Sequence, residues 1–335
     1  MPDSTRSGHR ARPALTLTGL AAVALLTITS CASGGTGGGA EGAGQGSPGT
    51  GEPVAVATTT QLGSVLADVT ACAGTSSATL MGPGDDPHDF SPSSQQVAAM
   101  TRSGLVVVNG LGLESGMQAA LDNAGVDGAT LLEVGPAVDP LPLAAEDDHG
   151  HGEGDGHDHG DLDPHVWMDV SRMADAAGVI GDALAETTGD EAYSGCGQEV
   201  ATTLEATDEE VRQVLSAIPQ DRRTLVADHA AYGYFADAYG FEIAGVVVPG
   251  GSTDAEPSSE RLAGLVGQMQ QAGADALVMS AGSGNRLVRA LAAETGGEVP
   301  VVELYEGGVG PDGSGAEEYA EAMLSNARAL ADALA

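Results

Sequence analysis

Apolar residues follow two different spacings along this chain. Short continuous apolar runs, typical of buried strands, alternate with longer segments in which apolar residues recur every three or four positions, typical of helices. The predicted strands are 54–58, 78–81, 105–109, 130–134, 224–228, 241–248, 276–279 and 301–304. The predicted helices begin near 61 and at 91–94, cover 171–187 and 198–217, and end the chain at 316–334, with further helices between the later strands.

This order of elements indicates an α/β protein. Strands that alternate with helices form βαβ units, which assemble into mainly parallel sheets flanked by helices. Two such series joined by one long linker helix predict two lobes, with an N-terminal lobe at 53–170, linking helices at 171–222 and a C-terminal lobe at 223–335. Because open α/β sheets bind ligands beyond the carboxyl ends of their strands, we expect a site where the two lobes meet.

The first 30 residues have the pattern of a signal peptide. Three arginines precede an apolar run at 14–28, which is too short to span a bilayer. The run ends just before Cys31 in a sequence that resembles a bacterial lipobox, which implies cleavage before Cys31 and lipidation of its thiol. The alternative is simple secretion with an incidental Cys31. Residues 31–52 are rich in Gly, Ala, Ser and Thr and predict a flexible tether.

The chain is strongly acidic, with a formal net charge of −36. Such a surface repels nucleic acid and anionic lipid and attracts cations, so we expect no nucleic-acid partner. The charge by itself does not identify a ligand, because acidity also supports solubility and salt tolerance.

Two cysteines remain beyond Cys31, namely Cys72 and Cys196. In an exported chain such a pair predicts one disulfide. No C-x-x-C motif is present, so a cysteine-rich zinc site is excluded.

Three isolated histidines lie in distinctive sequences. His88 and His165 each follow an Asp-Pro pair, and His229 comes at the end of a predicted strand. Proline restricts the backbone beside the histidine and so pre-sets the direction of the ring. A single buried histidine is more often a packing residue than a ligand, but the repeated motif and the strand-end positions in both lobes favour a shared site.

At these motifs the chain resembles the metal-binding lipoproteins of zinc and manganese ABC importers, the cluster A-I solute-binding proteins. The resemblance runs from about residue 53 to the C-terminus. The segments that carry it are GPGDDPHDFSPS, DPHVWMD, DHAAYGYFADAYG, EPSSERL, VPVVELYEGGVG and GAEEYAEAMLSN, together with a polar His-rich loop.

The resemblance implies that His88, His165 and His229 are metal ligands. Zinc proteins of the family have His at the third position and manganese proteins have Glu, so His229 favours Zn²⁺, in agreement with the preference of zinc for imidazole. The implied function is extracytoplasmic Zn²⁺ capture by a membrane-anchored lipoprotein, expected to be a monomer. It would deliver the ion to the permease and ATPase of an ABC importer, and it would not be an enzyme.

The fourth ligand stays open at this point. The family often has an acidic residue in the loop after the last strand, where the alignment places Gly307, with Glu306 one residue before it. Either Glu306 or a water molecule completes the site; otherwise Glu306 is a solvent-facing loop carboxylate.

The residues around the ligands are also not assigned by the sequence. Five aspartates lie close enough in sequence to orient the histidine rings, and the sequence does not choose among them: Asp86, Asp89, Asp163, Asp169 and Asp228. The aromatic residues nearby are predicted to pack in the core: Trp167, Tyr232, Tyr234 and Tyr239.

Residues 146–160 form a Gly-rich acidic loop with four histidines, His149, His151, His157 and His159. Its composition predicts a flexible segment. The resemblance implies an auxiliary zinc-collecting arm, and the alternative is a passive linker. Because ordering such a loop costs conformational entropy, we expect it to bind zinc more weakly than the buried site.

Two other classes of function compete with transport. A zinc-dependent hydrolase would use three histidines with an open coordination position, but no H-E-x-x-H is present and no Glu adjoins any of the three histidines. A metal-binding surface adhesin is the second alternative. The sequence does not give the metal affinity, the discrimination against Cu²⁺ or Ni²⁺, or the surface that contacts the permease.

Overall fold

A computed structural model of the chain describes residues 52–143, 162–248, 259–283, 285–294, 296–297 and 299–335. The predicted signal peptide, Cys31, the tether up to residue 51 and the four loop histidines lie outside the described residues. Within the described part, no helix has the length and apolar character needed to cross a membrane.

Two four-stranded sheets carry the fold, and every strand pairs in parallel with its neighbours. The first sheet has the order β2-β1-β3-β4 and the second β6-β5-β7-β8. The strands are β1 Ala55–Ala57, β2 Ala78–Thr79, β3 Leu105–Val108, β4 Thr130–Glu133, β5 Thr224–His229, β6 Glu242–Val248, β7 Ala276–Ser280 and β8 Val301–Leu304. The prediction of two mainly parallel sheets is therefore confirmed, and the second sheet repeats the strand order of the first.

Helices occupy the connections between strands. They are α1 Thr60–Cys72, α2 Ser94–Arg102, α3 Gln118–Val126, α4 Val170–Thr188, α5 Ala192–Leu215, α6 Gly233–Tyr239, α7 Ser259–Ala272, α8 Arg286–Glu294 and α9 Tyr319–Leu334. Helix α3 was not predicted, because only Leu121 and Ala124 of its nine residues are buried and its apolar stripe is weak. Strand β2 is shorter than predicted, although Leu80 and Met81 still donate backbone hydrogen bonds to the end of β1 and the residue after it.

A pair of helices, α4 and α5, lies between the two series of strands in the sequence. The helices pack closely because glycines meet at their contact: a Cβ on Gly181 would lie 2.8 Å from the Cα of Gly197. Helix α4 also packs on β3 and β4, whereas α5 packs on α1 and α9. The lobe boundaries at residues 170 and 222 remain a prediction.

One apolar cluster connects the two sheets. It contains Leu105 of β3 and Leu225 of β5 together with buried residues of α1, α4, α5 and α9. A disulfide between Cys72 at the end of α1 and Cys196 of α5, with Cα atoms 5.7 Å apart, adds a covalent tie in the same region. Because separating the sheets would expose this shared core, we expect little hinge motion between them.

Candidate metal centre

Three buried histidines meet where the two sheets face each other. His229 is the last residue of β5, His88 lies in the loop after β2, and His165 immediately precedes a turn of 3₁₀ helix at Val166–Met168. One ring nitrogen from each lies within 4.8 Å of the other two, and the residues are 0–6 % exposed. Among the described residues, this is the one cluster of at least three His, Cys, Asp or Glu side chains whose potential ligand atoms lie close enough together to hold a metal ion.

The spacing of the nitrogens suits a small tetrahedral ion. The Nε2 atoms of His165 and His88 are 3.3 Å apart. Zinc binds imidazole nitrogen at about 2.0–2.1 Å, so two ligands of a tetrahedral site lie about 3.3 Å apart. Two of the rings therefore already have the spacing of two ligands of one Zn²⁺-sized ion, and a nitrogen of His229 lies within 4.8 Å of both.

The ring of His165 is held by Asp163. One carboxylate oxygen, Oδ1, accepts from the backbone N–H of His165 at 3.0 Å and lies 2.8 Å from its Nδ1. The carbonyl of Asp163 accepts from the hydroxyl of Tyr234 at 2.7 Å, which fixes the segment against α6. Because Nδ1 is occupied, Nε2 is the nitrogen that could face an ion.

Asp228 holds the ring of His229 in the same way. Its Oδ1 accepts from the backbone N–H of His229 at 2.9 Å and lies 3.0 Å from Nδ1. Its Oδ2 accepts from the backbone N–H of Ser280, at the end of the neighbouring strand β7, at 2.9 Å. The carboxylate therefore ties the ligand to the sheet that carries it.

Two further aspartates near these histidines in sequence also make hydrogen bonds close by. Asp86 accepts from the backbone N–H of His88 at 2.9 Å. Asp169 caps α4 by accepting from the N–H of Ser171 at 2.9 Å, and it pairs with Arg172. The structure thus shows that Asp163 and Asp228 each contact a histidine ring nitrogen. The sequence alone did not distinguish these two aspartates from the other candidates.

Glu306 turns inward from the loop after β8. Its side chain is buried, and its Oε1 lies 3.5 Å from Nε2 of His229. The backbone carbonyl of Glu306 accepts from Nε1 of Trp167 at 2.7 Å and from Nε2 of Gln61 at 3.4 Å, which holds the loop against the first half of the chain. Glu306 is therefore not a solvent-facing carboxylate, and Gly307 follows it at the edge of the cleft.

Two aromatic residues contribute more than the packing that the sequence predicts. Trp167 and Tyr234 are buried as expected, but each also donates to a backbone carbonyl beside the metal centre, at Glu306 and Asp163 respectively. Sequence reasoning missed these contacts, and it missed Gln61. The only feature of the sequence that could have pointed to one of these contacts is that Trp167 lies two residues beyond His165.

The charges of the site are set by burial and by mutual contact. Burial, and then the positive charge that a protonated His165 would carry, lower the pKa of His88 to about 4. Burial also acts to lower the pKa of His229, but the Glu306 carboxylate and the hydrogen bond to Asp228 outweigh it and raise that pKa well above its ordinary value. Burial alone would raise the pKa of Glu306, but the charge of His229 lowers it. The directions of these shifts favour an ion pair between His229 and Glu306 beside a neutral His88.

A cleft of about 490 Å³ opens beside the centre, and its lining includes His88, His229 and Glu306. His165 is fully buried and lies outside this lining. The cleft therefore offers an ion a route to two histidines and the carboxylate before it reaches His165.

Comparison with known proteins places this chain in a family. The family model described as "Zinc-uptake complex component A periplasmic" (ZnuA) matches residues 55–333. The manganese-binding lipoprotein MntA of Halalkalibacterium halodurans is 29 % identical over 245 residues, which cover 72 % of this chain and 76 % of that protein. The zinc-binding protein TroA of Treponema pallidum is 28 % identical over 262 residues, which cover 76 % of this chain and 80 % of that protein. The solved structure of TroA superposes with a TM-score of 0.71 at 26 % identity, covering 85 % of this chain and all of that one.

Proposed function

Because this chain belongs to the ZnuA family of zinc-uptake components, we propose that it captures Zn²⁺ outside the cytoplasm and delivers it to an ABC importer. The family is one of metal-binding transport components, in agreement with the prediction of a protein that is not an enzyme. The observation that carries the proposal is the buried group of three imidazoles, with the Nε2 atoms of His165 and His88 3.3 Å apart.

Zinc is the proposed ion, although relatives of both metal classes match the chain. MntA is named as manganese-binding and TroA as zinc-binding. The argument for zinc comes from the donors: three neutral imidazole nitrogens suit Zn²⁺, whereas Mn²⁺ favours sites richer in carboxylate and water oxygen. His229 provides nitrogen at the position where the sequence resemblance leads us to expect Glu in a manganese protein.

Glu306 is the proposed fourth ligand. Its carboxylate already lies 3.5 Å from Nε2 of His229, the nitrogen that would bind the ion. When Zn²⁺ enters, it replaces the proton on His229, and Glu306 then faces the ion instead of an imidazolium. A carboxylate also neutralises half of the charge of the ion, which favours its burial. A water molecule in this position is the alternative.

The remaining parts of the proposal concern segments outside the described residues and the partners of the chain. We propose that Cys31 carries a lipid anchor, that His149, His151, His157 and His159 collect zinc weakly near the membrane, and that a monomer presents the loaded site to the permease, which its ATPase drives. Two relatives support an extracytoplasmic location: MntA is named as a manganese-binding lipoprotein, and TroA as a periplasmic zinc-binding protein.

Metal content and competitive affinity test the proposal. The chain without its signal peptide would be titrated with Zn²⁺ and Mn²⁺ against a chromophoric chelator, beside His165→Ala and a deletion of residues 146–160. We expect one tight Zn²⁺ per chain, weaker Mn²⁺ binding, loss of the tight site in His165→Ala and its survival in the loop deletion. A tight site that disappears with the loop but tolerates His165→Ala would overturn the buried site and favour the surface-adhesin alternative. Tighter binding of Mn²⁺ than of Zn²⁺ would overturn the choice of metal.

A further inference from the structure

Residues 109–116, which follow β3 and are here termed the bridge segment, contact both histidine-bearing loops of the first half of the chain. At one end, the side-chain amide of Asn109 is buried and donates from Nδ2 to the carbonyl of Pro164 at 2.9 Å. Pro164 directly precedes His165. The bridge segment therefore holds the backbone at the point where the His165 ring is directed toward the ion.

At its other end the bridge segment holds His88. The carbonyl of His88 accepts from the hydroxyl of Ser115 at 3.0 Å and from the backbone N–H of Gly116 at 3.2 Å. The approach is close enough to require glycine, because a Cβ on Gly116 would lie 2.8 Å from the carbonyl oxygen of Phe90. One short segment thus sets the backbone positions of both histidines whose Nε2 atoms are 3.3 Å apart.

The carboxylate of Glu114 organises the bridge segment. Glu114 is 2 % exposed, and its oxygens accept from the hydroxyl of Thr58 at 2.7 Å and from the backbone N–H groups of Asn109 and Gly110 at 2.7 and 3.0 Å. Burying a carboxylate is costly unless donors surround it. These three donors offset part of that cost, although burial still raises the pKa of Glu114 above its ordinary value. They also close the segment into a tight turn anchored on Thr58, the residue after β1.

The backbone of this turn is held in a conformation that needs such an anchor. Gly110, Leu111 and Gly112 have φ angles of 77°, 56° and 81°, and a positive φ is uncommon for leucine. Backbone of this kind persists only where its surroundings determine it. The two N–H groups that Glu114 binds lie at the start of the strained stretch, so loss of the carboxylate frees the turn to relax.

We propose that Glu114 is a positioning residue for the metal centre. Through the bridge segment it sets the separation of His88 and His165, and so governs metal affinity and coordination geometry without touching the ion. The inference rests on the metal-capture function proposed above, and the matched variants below separate the two.

The main test is Glu114→Gln in the full chain. Glutamine preserves the size of the side chain but places an NH₂ group against a backbone donor, which disrupts the turn. We expect Zn²⁺ affinity to fall about tenfold or more, in the range seen when groups behind metal ligands are removed. The d–d absorption of bound Co²⁺, which reports ligand geometry, should shift in position or intensity.

The matched control is Asp208→Asn. Asp208 is also a buried carboxylate, but it accepts from the hydroxyl of Tyr239 at 2.9 Å and from Nε of Arg212 at 2.6 Å. This variant should lower the free energy of unfolding and leave both the Zn²⁺ affinity and the Co²⁺ spectrum unchanged. Equal loss of affinity in both variants would mean that Glu114 acts only on global stability and would overturn the proposal.

A second variant keeps the test decisive if Glu114→Gln does not fold. Gly116→Ala displaces the His88 loop directly, whereas Gly195→Ala on α5 meets nothing within 4 Å and is its control. Weaker Zn²⁺ binding in Gly116→Ala, with wild-type binding in Gly195→Ala, supports the proposal. If His165→Ala abolishes binding while Glu114→Gln and Gly116→Ala keep wild-type affinity and spectra, the positioning role is wrong and metal capture stands. If His165→Ala still binds metal tightly, the proposed function itself fails.

Discussion

Replacement of Asp163 by Asn should weaken metal binding by about tenfold. Asp163 Oδ1 lies 2.8 Å from Nδ1 of His165 and accepts from the backbone N–H of the same residue. In the variant an amide oxygen can accept both bonds, so the geometry persists and only the negative charge is lost. A hydrogen bond to a charged group contributes about 1.5–3 kcal/mol and a neutral one about 0.5–1.5 kcal/mol. The midpoints of the two ranges differ by about 1.25 kcal/mol, which corresponds to a factor of about eight in the dissociation constant, close to tenfold.

The assay is competition for Zn²⁺ against a chromophoric chelator at constant pH, with Asp169→Asn as the control. Asp169 lies in the same segment and loses the same charge, but its carboxylate caps α4 through Ser171 and pairs with Arg172. Asn caps helices about as well as Asp, so this control should bind Zn²⁺ within about twofold of the wild type. An equal effect of the two substitutions, or no effect of Asp163→Asn, would refute the assignment of Asp163 as the residue that orients and polarises His165.

Three further predictions follow from other contacts. Replacing Cys72 and Cys196 by Ser removes a crosslink across 124 residues of sequence, and thermal unfolding should show a loss of about 4–5 kcal/mol with Zn²⁺ affinity unchanged. Zn²⁺ affinity should fall with decreasing pH, and the fall should begin at a pH above about 6.5, because Glu306 and Asp228 raise the pKa of His229 and a proton then competes for the same nitrogen. In Glu306→Gln the carboxylate no longer raises that pKa, so chelator titrations over a pH series should show the fall beginning at a lower pH. Trp167→Phe removes the 2.7 Å donor to the Glu306 carbonyl, and denaturant unfolding should show a loss of about 1–3 kcal/mol, together with weaker Zn²⁺ binding.

The positions of the strands and of most helices were readable in the sequence because they depend on local pattern. The strand predicted at 105–109 begins with four consecutive apolar residues, a pattern typical of a strand covered on both faces, and the structure has β3 there, buried throughout. Helix α3 escaped prediction because few of its side chains are buried, so its periodic signal is weak. The turn that contains Leu111, with its positive φ, escaped for a different reason. Glu114 beside it accepts hydrogen bonds from Asn109 and Gly110 and from Thr58, which lies 56 positions earlier in the chain.

The sequence by itself named the side chains that we propose carry the chemistry. The two Asp-Pro-His motifs and the strand-end His229 named the ligand candidates, and the resemblance that they carry named the metal class, because ligand type and local backbone preference are properties of short segments. Only the tertiary structure decided how these groups act together. Whether Glu306 turns inward, and the 3.3 Å between the Nε2 atoms of His165 and His88, depend on contacts between segments 77 to 139 residues apart. Such contacts are set by the packing of two sheets on one shared core, and no local pattern encodes a distance across it.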